Sequence, residues 1–254
     1  MRVYISFIKK ELTENIRTYK LFIMLVVFLL FGIMGPVVAK LMPDIIKAAS
    51  PTGMTINIKS PTAIDSWTQF FKNVGQMGLL VLVIVFSGIM ANELSKDTLI
   101  NLLTKGLKRS TVVFSKLTVA VIIWTLSYII CLIVSYFYTA YFWKMNGMHN
   151  VFLTFFSLWL YGILLISLVI LGGILFKNIY GSILLTGAAV VLMMLLDIVP
   201  KLQKFNPVTL ASDNMALLTA QKSVEDFMPA IIICTALIII FTALSVMVFN
   251  KKQV

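Results

Sequence analysis

LTVAVIIWTLSYIICLIVSYFYTAYFW, residues 117–143, runs for 27 residues without an acidic or basic side chain. As a helix it would be about 40 Å long, more than the hydrocarbon thickness of a bilayer. It does not alternate apolar and polar residues, so it does not read as a barrel strand. A backbone lying in lipid must then satisfy its polar groups within a helix. Lys116 and Lys144 close the stretch at either end.

Five further uncharged stretches lie outward from it. Upstream are Asn73–Asn92 and Leu21–Ala39. Downstream are Met145–Phe176, interrupted only by His149, then Asn178–Leu196 and Phe227–Asn250. All meet the length that a spanning helix needs. Composition agrees: 254 residues, 60% hydrophobic and only 12% charged. A soluble enzyme would need a far more charged surface, and a disordered chain far less apolar content. The fold class is therefore all-α integral membrane with six transmembrane helices in a single transmembrane domain, 1–254. The spans are read at 21–42, 73–94, 117–143, 150–176, 178–199 and 227–250. Leu21–Ala39 is expected to stay as a span, because bases and acids precede it and no small-x-small cleavage site follows.

The net charge of +11 suggests nucleic acid at first sight, but the bases are spread between apolar runs and follow topology instead. With both termini in the cytoplasm, 13 of the 21 bases face inward, in the shorter segments. Residues 1–20 place Val3, Tyr4, Phe7, Ile8, Leu12, Ile16 and Tyr19 at three- and four-residue steps, with Lys9, Lys10, Glu14 and Arg17 between. That pattern predicts an amphipathic helix lying flat at the membrane surface.

Residues 43–72 are expected to be an outer loop, broken by Pro43, Pro51, Gly53 and Pro61, with a capped helical turn over Asp65–Lys72. Residues 200–226 form a second outer segment. Within it VTLASDNMALLTA, residues 208–220, is too short and polar to span and reads as a re-entrant or surface helix.

The most informative connection is 95–116, between spans two and three. With Glu93, which closes span two, it reads ELSKDTLINLLTKGLKRSTVVFSK, residues 93–116. A short helix presents Leu99, Leu102 and Leu103 on one side, Gly106 can end it, and Lys108, Arg109 and Lys116 follow. Leucines facing the cytoplasm need cover, from lipid or from a protein.

This segment resembles the permease subunits of ABC-2-type ATP-binding-cassette exporters. In that family an acidic residue ends span two, a Gly-Thr pair begins a leucine-rich helix, and a proline, a basic residue and a lysine follow at set intervals. Glu93, Asp97-Thr98, Leu102-Leu103, Gly106, Arg109 and Lys116 take those places, with Asp97 for glycine and Gly106 for proline. The resemblance implies a coupling helix seated in a groove of a cytoplasmic ATPase. It implies two copies of that ATPase, and a second permease copy or a close relative. Thr98, Leu99, Leu102, Leu103 and Lys105 would touch the ATPase, with Glu93 and Arg109 holding the helix ends. It further places the dimer seam and cargo path on spans two and five, where Gly75, Gly78 and Gly187 lie.

No GxxxxGK[ST] motif occurs, and no glycine precedes a lysine. The chain is thus expected to bind no cofactor itself, ATP and Mg²⁺ residing on the partner. It is expected to be no enzyme. Cys131 and Cys234 fall inside spans and read as packing, and His149 has no neighbouring ligand residue. Asp197 is expected to pair with Lys201 near the interface or to touch cargo. Gly32 and Gly35-Pro36 suggest a kink in span one, and Gly172-Gly173 close helix contact. An uncharged interior with 14 Met and 18 Phe suits hydrophobic or amphipathic cargo. A weaker resemblance to small Gram-positive exporters of amphipathic or antimicrobial peptides orders the candidates as peptide, then drug or lipid. It implies a bacterial plasma membrane. The alternatives are an accessory membrane subunit without cargo, and an ATP-independent channel or carrier.

Overall fold

A computed structural model describes residues 2–49, 60–95, 104 and 106–252. These residues are helical almost throughout, with no strand among them. Helix α1 (Arg2–Arg17) turns at Tyr19, whose φ is 59°, into α2 (Lys20–Ala49). The second span is composite: α3 (Ala63–Lys72), a π-helical turn (Asn73–Gly78), α4 (Leu79–Phe86) and α5 (Gly88–Ser95). Then come α6 (Arg109–Phe142), α7 (Val151–Phe176) and α8 (Ile179–Asp197). The short helices α9 (Pro200–Gln203), α10 (Thr209–Ser212) and α11 (Asn214–Leu218) precede the last span, α12 (Val224–Lys251). Six helices are long and apolar enough to cross a membrane. The protein is an all-α, multi-pass integral membrane protein.

Several boundaries move relative to the sequence reading, each for a local reason. Pro43 does not end span one: α2 continues to Ala49. Proline removes one N–H but leaves the rest of the helix intact where neighbours support it. Ala39 is buried here, and the Lys40 ammonium sits over the Phe142 ring, 3.9 Å from its centroid. Pro36 strips the Gly32 carbonyl of its intrahelical donor, and the Ser135 hydroxyl of α6 donates to that oxygen at 2.9 Å. Gly32 permits this approach, because a Cβ there would lie 2.9 Å from the Cys131 carbonyl oxygen. Span two begins ten residues earlier than expected, at Ala63. Thr62 and Asp65 form a capping box that starts a helix continuous with the span. The first two turns of α6, residues 109–116, belong to span three rather than to the connection. A second capping box, Ser223 with Asp226, starts α12 at Val224.

In lipid, helices associate through close packing rather than through exclusion of water. α7 is the centre of that packing: every residue from Leu160 to Ile174 is buried. Gly162 admits the Trp124 ring, whose Nε1 donates to the Trp159 carbonyl at 3.0 Å. Gly172 meets the Ser182 backbone of α8, and Gly173 meets Ala91 of α5. α8 lies at the periphery and buries only Gly181, Ser182, Thr186 and Met193. The 208–220 stretch is not one helix. It folds as α10 and α11, which bury Thr209, Leu210, Asn214, Leu217 and Leu218 onto the beginning of α7.

Candidate functional site

α1 presents residues four apart to the bundle. Phe7, Glu11 and Asn15 are buried, one turn after another. Ile8 and Leu12 pack beside them, and the Tyr4 hydroxyl bonds Thr118 of α6 at 2.8 Å. Val3, Ile5 and Ile16 face outward, exposed by half or more. The helix therefore has two apolar faces and, between the packed side chains, a buried acid.

That acid joins a network. The Lys116 ammonium, 1% exposed, lies 2.9 Å from Glu11 Oε2 and 2.8 Å from Glu93 Oε2. Lys10 reaches Glu11 at 2.9 Å, Glu14 at 2.8 Å and Glu93 at 2.5 Å. Glu11, Glu14 and Glu93 each place an oxygen within 4.8 Å of the others. Alone, such a trio would repel itself or hold a cation. Here two ammonium groups already lie between the carboxylates, so the cluster is a charge lattice rather than a metal centre. Burial alone would lower the Lys10 pKa, but its hydrogen bonds to Glu14 and Glu93 and the Glu93 charge outweigh that and raise it above the ordinary lysine range.

A second clamp lies at the same end. Arg109 donates to the Phe249 carbonyl, to Asn250 at 3.1 Å and to Lys252 at 2.5 Å, closing the C-terminus of α12. Lys252 donates in turn to the carbonyls of Ile174 and Leu175 at the C-terminus of α7. Cations suit helix C-termini, where carbonyls lack intrahelical donors. The start of α6 and the ends of α7 and α12 are thus tied through two side chains.

The 96–108 connection runs from the end of α5 to the start of α6. Glu93 stands just before it and is buried in the ion lattice; Arg109 stands just after it and grips α12. Gly106 adopts φ +88°, a left-handed conformation that glycine enters without strain. Thr98, Leu99, Leu102, Leu103 and Lys105 lie outside the described residues. Of the three glycines assigned to a seam, Gly78 is buried against the Phe28 ring of α2, and a Cβ at Gly75 would approach the Ala211 carbonyl oxygen. Gly187 faces open space.

Other expectations resolve simply. Asp197 does not pair with Lys201; its carboxylate accepts from Asn206 Nδ2 at 3.2 Å, because Asn206 is buried and Lys201 exposed. Cys131 and Cys234 are free and buried. His149 is exposed, and its backbone N–H donates to the Leu218 carbonyl. The sequence reading missed Glu11 and Lys10 as partners of Glu93 and Lys116. The signal was present: an acid at position 11 interrupts the apolar face of α1 between Phe7 and Asn15. No known protein-family model matches the chain, and no curated protein matches it in sequence.

Proposed function

We propose that this chain is the membrane subunit of an exporter driven by a separate cytoplasmic ATPase, with the 96–108 segment as the docking element. One observation carries the reading: both flanks of that segment are locked to the bundle, Glu93 through Lys10 and Lys116, and Arg109 through the end of α12. A segment anchored at both ends can pass a push from a soluble partner into packed helices as a rigid-body displacement. The sequence offers Leu99, Leu102 and Leu103 as apolar residues for that partner, and the density of bases supports a cytoplasmic position for this end. The resemblance to ABC-2 permeases, in the spacing from Glu93 to Lys116, points to the same partner. A hydrophobic or amphipathic peptide is the favoured cargo, the plasma membrane of a bacterium the expected site, and a second copy or a close relative the expected companion.

The test is recovery from the native membrane in mild detergent, with mass spectrometry of what co-purifies. The expected result is a stoichiometric protein carrying a P-loop. Its loss in the Leu102→Asp/Leu103→Asp variant, with membrane insertion intact, assigns the contact to this segment. A partner-free chain, under conditions that keep other transport complexes whole, overturns the proposal.

A further inference from the structure

At the opposite end of the bundle, an apolar cavity of about 470 Å³ lies between the second half of α6, the 144–150 loop and the first turns of α7. Trp67 and Phe155 form its floor, with ring centroids 4.9 Å apart. Met145 and Met148 cover its upper end, and Tyr136 and Phe137, 52% and 67% exposed, form a wall open to the surroundings. Trp143, just beyond the C-terminus of α6, is an interfacial residue by position. From there down to Leu132, the deepest lining residue on α6, the helix drops about 16 Å. That is close to the hydrocarbon depth of one leaflet, about 15 Å.

Three features choose the occupant. The lining offers aromatic, aliphatic and thioether side chains and no backbone edge. A peptide inserted there would leave its main-chain N–H and C=O groups unpaired, whereas an acyl chain carries none. The groove opens sideways, which is how a bilayer component enters. Its upper rim carries a cation: Lys144 directly precedes Met145 and is exposed, and the 144–150 loop contains no acid. We propose that this groove binds an anionic phospholipid, one acyl chain running along α6 over Trp67 and the phosphate resting at Lys144. The site is independent of the ATPase reading.

Trp67 makes the site observable. The full chain is reconstituted in phosphatidylcholine, with a fixed fraction replaced by brominated phosphatidylglycerol or brominated phosphatidylcholine, and tryptophan fluorescence is recorded. Brominated phosphatidylglycerol should quench more, corresponding to about threefold or greater preference at the site. In a common Trp143→Phe background, which removes the tryptophan beside Lys144, the excess should fall in Trp67→Phe, which removes the reporter over the groove, and vanish in Lys144→Gln, which removes the rim charge. Lys144→Arg should retain it. Equal quenching by the two lipids in the unaltered protein overturns the proposal. So does an excess undiminished in Trp67→Phe, which places the lipid elsewhere, or one that persists in Lys144→Gln, which frees the selection from the rim.

Discussion

At the end of the bundle where α1 packs and Arg109 closes α12, Lys10, Glu11, Glu14, Glu93 and Lys116 from three helices meet at 2.5–2.9 Å. At the other end, neutral amides perform the buried joining, with the ion pairs Lys204–Asp226 and Lys222–Asp213 nearer the solvent. Asn206 donates to the Met193 carbonyl at 2.6 Å, and Asn214 reaches Thr154, Ser157 and Leu210 at 2.9–3.1 Å. Both ends tie short elements onto long helices, yet the two chemistries fail differently. A buried charge whose partner is removed stays buried and uncompensated, so an ionic joint breaks as a unit. An amide that loses one acceptor keeps the others. The ionic joint thus makes α1, α5 and α6 one mechanical body next to the 96–108 segment. The amide joint secures the cap formed by α10 and α11.

The sharpest way to break this comparison is Lys116→Leu, which leaves Glu11 and Glu93 buried with Lys10 as the remaining ammonium of the joint. A loss of about 3–5 kcal/mol is expected in unfolding measurements on the protein in nanodiscs. Asn214→Leu at the amide end should cost about 1–3 kcal/mol, chiefly through the acceptors left behind. Equal losses at the two sites would erase the distinction.

Midway between the ends, Ser135→Ala removes the donor that replaces the hydrogen bond lost at Pro36, at a cost of about 1 kcal/mol. In Pro36→Ala the restored N–H satisfies Gly32, and the Ser135→Ala effect should then fall towards zero in the double-mutant cycle. An undiminished effect would give Ser135 a different role.

Alkali separates the ends without mutation. The Lys10 pKa is raised in the folded protein, so its contribution is complete below the ordinary lysine range and is lost as pH climbs through the higher folded value. Protease cleavage within α1 should therefore begin only in strong alkali, well before cleavage within α10 and α11. Simultaneous onset would contradict the assignment. The smallest effect is expected for the exposed pair Lys204–Asp226. Lys204→Ala should leave the melting temperature unchanged within error, because solvent screens such pairs.

How much of this was legible follows from where the signals reside. The six spans were readable because apolar runs must match bilayer thickness whatever they pack against. Their boundaries were less so. Pro43 looks like loop material in isolation and the Asp65–Lys72 turn looks separate from span two, whereas packing against α6 and the Thr62–Asp65 cap make both parts of long helices. Gly172-Gly173 announced close contact, but not that it would be with α8 on one side and α5 on the other. Glu93 and Lys116 stood out as the charges flanking a connection. Their partners on α1, Lys10 for Glu93 and Glu11 for Lys116, lie 83 and 105 residues away, and no local pattern carries that distance.

The sequence by itself determined the class, the number of crossings and the basic bias of one end. These depend on hydropathy and charge summed over short windows, and the bilayer reads them segment by segment. Only the tertiary structure decided that Glu11 turns inward while Ile16 turns outward, that Ser135 repairs the helix at Pro36, and that Arg109 closes α12 rather than its own helix. Glu11, Ser135 and Arg109 each meet a partner distant in the chain. Which partner is within reach is fixed by how the helices pack, and packing is a property of the whole bundle.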